Sequence, residues 1–339
     1  MSKSWARTRD AATVSRRIAI AIAVPTALLA ACGGSTQSSA SKSVTVRAGV
    51  NDPSDPNVAA LAFLPQEITV AAGFTVNWSF KGPEPHTVTF VPKGQQPPSP
   101  DSPDATAPKP PSGPYDGTSL VSSGIMPTGP KAGAFSLSFA KPGTYGYVCA
   151  IHPGMAGTVN VVASGAGTES REQIVARAKQ EQAKWLAEGE AAKQALVSKA
   201  PESKKNKDGT TTWFVSMGAS TPHAAVLAFA PSPVQAKPGD SVVFVNDSAV
   251  PHTATFPGKQ TVPANPESAE AKQATGKSPL TLNSTDLFNS GWLPPNAPPG
   301  AAPPERVRSF TFIMPTAGQY VFVCLLHSPS GMAGTIKVG

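Results

Sequence analysis

Along most of the chain, apolar residues alternate with small or polar ones at a period of two. The segments FTVNWSF (74–80), HTVTF (86–90), FSLSF (135–139), TYGYVC (144–149) and GTVNVV (157–162) all follow this rule, with Gly or Pro between them. Such alternation predicts strands with one face in a core, and short strands separated by turn residues predict an antiparallel sandwich or barrel. One stretch departs from it. Residues 169–200, ESREQIVARAKQEQAKWLAEGEAAKQALVSKA, are rich in helix formers and set Ile174, Ala178, Trp185, Ala192 and Leu196 on a loose stripe. They predict a helical connector, weakened in its middle by Gly189. The expected form is a spacer packed lightly on one domain, with docking on a specific partner helix as the other reading. Two proline-rich excursions, 93–114 and 289–308, are read as surface loops, because proline donates nothing to a sheet ladder.

The alternating pattern is written twice. The stretch from Leu61 matches the stretch from Leu227 at an offset of 166, which carries Pro65 to Pro231, Gly73 to Gly239 and His86 to His252. Further on the offset becomes 175, carrying Phe135 to Phe310, Gly143 to Gly318, Tyr145 to Tyr320 and Cys149 to Cys324. Two homologous units that differ by a nine-residue insertion predict two domains of one fold. At 339 residues the chain is long enough to give each its own core.

The first 31 residues belong to neither unit. Lys3, Arg7, Arg9, Arg16 and Arg17 lead into the apolar run IAIAIAVPTALLAA, which is too short to span a bilayer as a helix and reads as the core of an export signal. The run ends in LAAC, and GGSTQSSASKS follows; together they resemble a bacterial lipoprotein box. That resemblance implies a lipid on Cys32, a flexible tether over 32–43 and anchoring to the membrane surface outside the cytoplasm. A plain secretory signal with an incidental cysteine is the alternative, and Arg16-Arg17 leaves general and twin-arginine export both open. The leader also changes the charge picture. The whole chain carries 28 basic and 21 acidic residues, but five basic and one acidic residue lie in 1–31, which leaves a net +3 and no basis for binding nucleic acid.

After Cys32 only Cys149 and Cys324 remain. A disulfide between them is one reading, and it requires two like turns to meet face to face. The other comes from their neighbours. CAIHPGM places Cys149, His152 and Met155 on one turn between strands, and CLLHSPSGM does the same with Cys324, His327 and Met332. His86 and His252, from distant strands, can supply a second imidazole to each. Two His and one Cys with a weak axial Met form the donor set of a blue-copper electron-transfer site. Structural zinc instead prefers four strong ligands. The turns hold two and four residues between His and Met, which predicts two different reduction potentials.

On these residues each unit resembles a cupredoxin, with CAIHPGMAGTV similar to amicyanin and CLLHSPSGMAGTI similar to plastocyanin and pseudoazurin. The resemblance implies an all-β chain: two Greek-key β-sandwich domains, 44–163 and 211–339, joined by the helical connector 164–210. It implies one type 1 copper per domain, electron transfer without catalysis, and redox partners that dock near His152 or His327. Enzymes built from such domains add a copper centre on further histidines. Here Val148, Ala150, Val323 and Leu325 flank the cysteines, and only His223 is left over, read as an exposed strand-end residue. Extracytoplasmic copper buffering or delivery needs the same ligands and is the second functional reading. A structural role with vestigial sites is the third.

Overall fold

The computed structural model describes residues 42–127, 132–296 and 308–339; the leader and the Cys32 lipidation site lie outside the described residues. In the first half the alternating segments form β1 (Ser43–Asn51), β2 (Val58–Leu64), β3 (Glu67–Ala71), β4 (Thr75–Ser79), β5 (Thr89–Phe90), β6 (Val121–Ser122), β7 (Ala134–Ser138), β8 (Gly143–Val148) and β9 (Ala156–Val162). A one-turn helix, α1 (Pro103–Thr106), lies in the first proline-rich loop, which is mostly exposed as expected. The long helix α2 (Arg171–Val197) follows. The second half contains β10 (Glu202–Lys205), β11 (Thr211–Ser220), β12 (Ala224–Ala230), β13 (Val234–Ala236), β14 (Ser241–Val245), β15 (Thr255–Phe256), α3 (Ala269–Gln273), β16 (Leu280–Thr281), β17 (Phe288–Asn289), β18 (Ser309–Ile313), β19 (Gly318–Val323) and β20 (Ala333–Val338).

Each half is a two-sheet sandwich. In the first, β1, β2, β4 and β7 face the sheet ordered β3-β9-β8-β5-β6; in the second, β13-β20-β19-β15-β17 is the facing sheet. Several pairs, among them β1·β4, β3·β9, β11·β14 and β13·β20, are parallel, where alternation alone predicts an antiparallel meander. The cause is topological. The chain leaves the first sheet between Leu64 and Glu67, forms β3 on the opposite layer, and returns as β4 beside β1 running the same way. Aromatic rings fill both interiors: Trp78, Phe90 and Tyr147 pack edge to face or tilted in the first, Phe229, Phe244 and Phe322 in the second.

The halves are not separate beads on a connector. β2 pairs antiparallel with β12, so one ten-stranded sheet runs through both sandwiches, and Lys42–Gly339 form one compact unit. Ala59 lies opposite Ala225, its own repeat equivalent, with Val58 opposite Val226 and Ala60 opposite Ala224. The Leu61 N–H donates to His223 O at 2.8 Å and the Leu227 N–H to Asn57 O at 2.7 Å, a pair related by the same offset. The seam is therefore a pseudo-two-fold contact, the isologous arrangement of a symmetric dimer placed within one chain. The sequence signals it: VAALAFL and AAVLAFA are continuous apolar runs, the mark of strands buried on both faces.

The doubly buried strands also determine what α2 does. Ser170 and Gln173 form a reciprocal capping box at its start, and its apolar face packs on Val58, Ala60, Ala62 and Leu64 through Ala178, Trp185 and Leu186, then on Val226 and Ala230 through Leu196. The connector is thus no spacer lying lightly on one domain. It seals the outer face of the seam and grips both halves, because that face is apolar and water would otherwise wet it. The segment read as connector through 210 also ends in a sheet arm, since β10 pairs with β11 around the Asp208-Gly209 turn. Gly189 is the point of closest approach. A Cβ there would stand 2.5 Å from Val58 Cγ1 and 3.2 Å from Ala224 Cβ. Gly189→Ala, which adds about 1 kcal/mol of helix propensity at an open position, is expected instead to lower stability by about 1–3 kcal/mol through overpacking; urea unfolding of the two proteins checks the sign.

Candidate metal centres

Each candidate centre is assembled from three pieces of chain. Tyr145 and Tyr320, four residues before the cysteines, pin the incoming strands by donating their hydroxyls to Lys141 O at 2.9 Å and Thr316 O at 3.1 Å. The turns that follow close on themselves: Cys149 N–H donates to Met155 O at 2.8 Å, and Cys324 N–H to Met332 O at 3.0 Å. The two extra residues of the second turn are absorbed by a 3-10 turn at Ser328–Ser330 that ends on Gly331, whose φ of 80° suits glycine. The distant histidines arrive from the strand edge before β5 and β15.

The donor atoms converge to the same triangle in both halves. In the first, the Nδ1 atoms of His86 and His152 are 3.0 Å apart, and the Cys149 sulfur is 3.8 and 3.5 Å from them. In the second, His252 and His327 are 3.0 Å apart, and the Cys324 sulfur is 3.6 and 3.4 Å from them. A point equidistant from the three donors lies about 2 Å from each, the length of an imidazole–metal bond. All six side chains are buried, and both cysteines are free thiols, which removes the Cys149–Cys324 disulfide. Met155 and Met332 are buried in the same core clusters as the cysteines. The unequal turns therefore leave the two His–Cys–His triangles alike.

The electrostatics favour a thiolate in each centre. Burial pushes the Cys149 thiol up, but His152 and His86 outweigh it and hold the group well below the usual thiol range; Cys324 is lowered in the same way, chiefly by His327. The backbone N–H groups of Thr87 and Thr253 also donate to the two sulfurs, at 3.3 and 3.4 Å. Burial keeps the imidazoles of His86 and His252 neutral, with His252 well below its usual range. A thiolate beside a neutral imidazole suits a soft or borderline cation, and a metal entering the second centre would displace the proton held on His327.

Sequence reasoning missed the supports. The threonine following each histidine also accepts from the residue after each cysteine: Ala150 N–H reaches Thr87 Oγ1 at 2.8 Å and Leu325 N–H reaches Thr253 Oγ1 at 2.9 Å. The repeated HT dipeptide carried that signal. Gly49 and Gly218 sit at bulges in β1 and β11 with φ of 67° and 86°, and a Cβ on either would collide with or crowd Nε2 of His86 or His252. Among the described residues, two further supports are found in the second centre and not in the first. His252 Nε2 is 2.9 Å from Ser248 Oγ, whereas His86 Nε2 has no hydrogen-bond partner among the described residues, Gly82 being the repeat equivalent of Ser248. His327 Nε2 is 3.0 Å from Glu84 Oε2, a buried carboxylate that the first half supplies. Burial pushes His327 down, but Glu84 and the Cys324 thiolate outweigh it and raise it to about 10.

His223 is not the exposed strand-end residue expected. Its ring stacks on buried Trp185 of α2, with centroids 4.8 Å apart and planes 13° apart, and its Nδ1 is 3.8 Å from Glu188. The seam causes this, because its repeat equivalent Asn57 occupies the other end of the same pseudo-two-fold contact.

A sandwich whose strand-connecting turn brings Cys and His onto a distant His defines a copper protein of the cupredoxin class, here with two such sandwiches in one chain. The model of the family "Copper binding proteins, plastocyanin/azurin family" matches residues 53–162. The plastocyanin of Scenedesmus fuscus is 31% identical over 124 residues, which cover 37% of this chain and 96% of that protein. The plastocyanin of Nostoc punctiforme is 32% identical over 113 residues, 33% of this chain and 66% of that protein, and the chloroplastic plastocyanin of Fritillaria agrestis is 30% identical over 112 residues, 33% and 52%. The chain thus spans between half and two thirds of the length of these last two. A solved structure of an amicyanin variant in its Cu(I) form is 25% identical at a TM-score of 0.24 and covers 36% of this chain and 83% of that one. The chain belongs to the plastocyanin/azurin family of copper binding proteins, and its two His–Cys–His clusters match two type 1 copper sites.

Proposed function

We propose that this protein is an exported blue copper protein, anchored by a lipid on Cys32, that carries electrons outside the cytoplasm through one type 1 copper in each half. The observation that carries the reading is the pair of preformed donor triangles, alike within 0.2 Å on every side although their turns differ by two residues. His86, Cys149 and His152 would hold the first metal and His252, Cys324 and His327 the second, with the thioethers of Met155 and Met332 as further soft donors. Bound copper supplies a one-electron couple between Cu(I) and Cu(II). The chain supplies rigidity: strands on both sides of each turn, the closing Cys-to-Met hydrogen bonds and the threonine contacts keep thiolate, imidazoles and thioether in place in either state, so little rearrangement accompanies transfer.

A carrier rather than an enzyme is supported by what surrounds the cysteines. Val148, Ala150, Val323 and Leu325 offer no ligand for a second centre, and His223 is engaged with Trp185. Redox partners dock at the rims of the ligand turns, on Pro153, Gly154 and Ala156 or on Pro329 and Gly331, since the rings of His152 and His327 are themselves only 5% and 3% exposed. Among the described residues no helix is long and apolar enough to cross a membrane; what supports a lipid as the proposed anchor is LAAC at Cys32 with the polar stretch GGSTQSSASKS after it.

Titrating the chain with Cu(II), counting metal per chain and then challenging it with a chelator tests the assignment. Two coppers with an intense visible thiolate-to-copper band, retained against the chelator and cycling rapidly with a small redox protein, are expected. Two coppers that are readily surrendered and exchange electrons slowly would favour buffering or delivery instead.

A further inference from the structure

The repeat makes Glu84 conspicuous. At the 166 offset its equivalent is Val250, an apolar residue that is fully buried, whereas Glu84 is a carboxylate only 5% exposed and aimed across the seam. Isolated burial of a carboxylate is costly, so it is retained only where it is paired and hydrogen-bonded. Its partner is Nε2 of His327, 3.0 Å away, the nitrogen on the far side of the ring from the Nδ1 atom that joins the donor triangle. Nε2–H donates and the carboxylate accepts. Around the same turn, Asn57 of the first half donates its amide to Ser330 O at 2.8 Å and to Leu227 O at 2.9 Å. The second ligand turn is therefore held in place by residues of the first half.

We propose that Glu84 is a positioning residue of the second copper site: the first half supplies the carboxylate that fixes the ring of His327 and lowers the reduction potential of the second site. The proposal rests on the copper reading above. Its physics is that of a carboxylate hydrogen-bonded to a metal-bound imidazole, which orients the ring and makes the coordinating nitrogen a stronger donor. A stronger donor and a buried negative charge both stabilise the extra positive charge of Cu(II) over Cu(I). With the donor triangles of the two sites alike, a difference in potential is attributed to what touches the ligands. Ser248 on His252 and Glu84 on His327 are contacts whose repeat equivalents, Gly82 in the first half and Val250 in the second, cannot make them for the first site.

Glu84→Gln keeps an oxygen that can accept from Nε2–H and removes the charge; Glu84→Ala removes both. Each is made in the full chain carrying Cys149→Ser, so that the visible band reports the second site alone, and the potential is measured by spectroelectrochemistry alongside the unaltered-Glu84 parent. The expected result is a retained blue band with the Cu(I):Cu(II) equilibrium at a fixed applied potential shifted at least tenfold toward Cu(I) in Glu84→Gln, which for a one-electron couple is about 59 mV upward. Glu84→Ala is expected to shift it as far and to broaden or displace the band as the ring loses its anchor. A blue parent whose potential and spectrum are unchanged in both variants overturns the role of Glu84 and leaves the copper reading standing. A parent with no blue band at its second site overturns the copper reading and this inference with it.

Discussion

Cys149→Ser and Cys324→Ser are each expected to remove half of the intense visible absorption of the copper-loaded chain, and the double variant all of it. The band requires a thiolate bound to Cu(II), and a serine hydroxyl in that place neither ionises at neutral pH nor donates charge to the metal in the same way. The geometry makes the losses independent. Each sulfur lies within 3.8 Å of its own pair of imidazoles and belongs to a separate core cluster, so one substitution leaves the other donor triangle intact. Copper counted per chain falls from two toward one with each single change. A single substitution that erased the whole band would mean that the two centres do not form separately.

Trp185→Ala is expected to cost about 3–5 kcal/mol, in the range for deleting a buried tryptophan, and to lower the stability of both halves together. Trp185 is 3% exposed, packs with Val58, Ala60, Ala62 and Leu64 on the outer face of β2, and stacks on His223 beside β12. Removing it opens a cavity over the seam where neither sandwich can close the gap alone. Because β2 and β12 lie in one sheet, calorimetry of the metal-free chain is expected to show one cooperative transition, and the variant to shift that transition as a whole. Two transitions, of which only one moved, would show that the halves unfold separately and that the seam contributes little.

Much of the candidate site is legible in the sequence. Cys, His and Met at fixed spacing on a turn, a histidine shared by both repeats and the MAG tripeptide specify donors by their chemistry, and chemistry is local in sequence. The matched supports are half legible: the HT dipeptide recurs, but its role as a double contact with the ligand turn depends on strands 62 to 72 residues apart coming together. Glu84 is not legible at all. Nothing in GPEPHT distinguishes a carboxylate that will meet a ligand of the other half from one that will face water, and its repeat equivalent is valine.

The helix shows the same division. Its existence and most of its buried stripe follow from composition and period, which are properties of the segment. What it covers does not, because that depends on β2 and β12 joining edge to edge. Local pattern was enough to specify two sandwiches, their candidate donors and the metal those donors suit, since alternation, repeats and ligand chemistry act over a few residues. That the halves share a sheet, that Gly189 is a contact rather than a weakness and that one half completes the site of the other emerge only once the chain is folded. Those features follow from which apolar faces and edges meet in space, and surface burial is optimised over the whole chain rather than within any stretch of it.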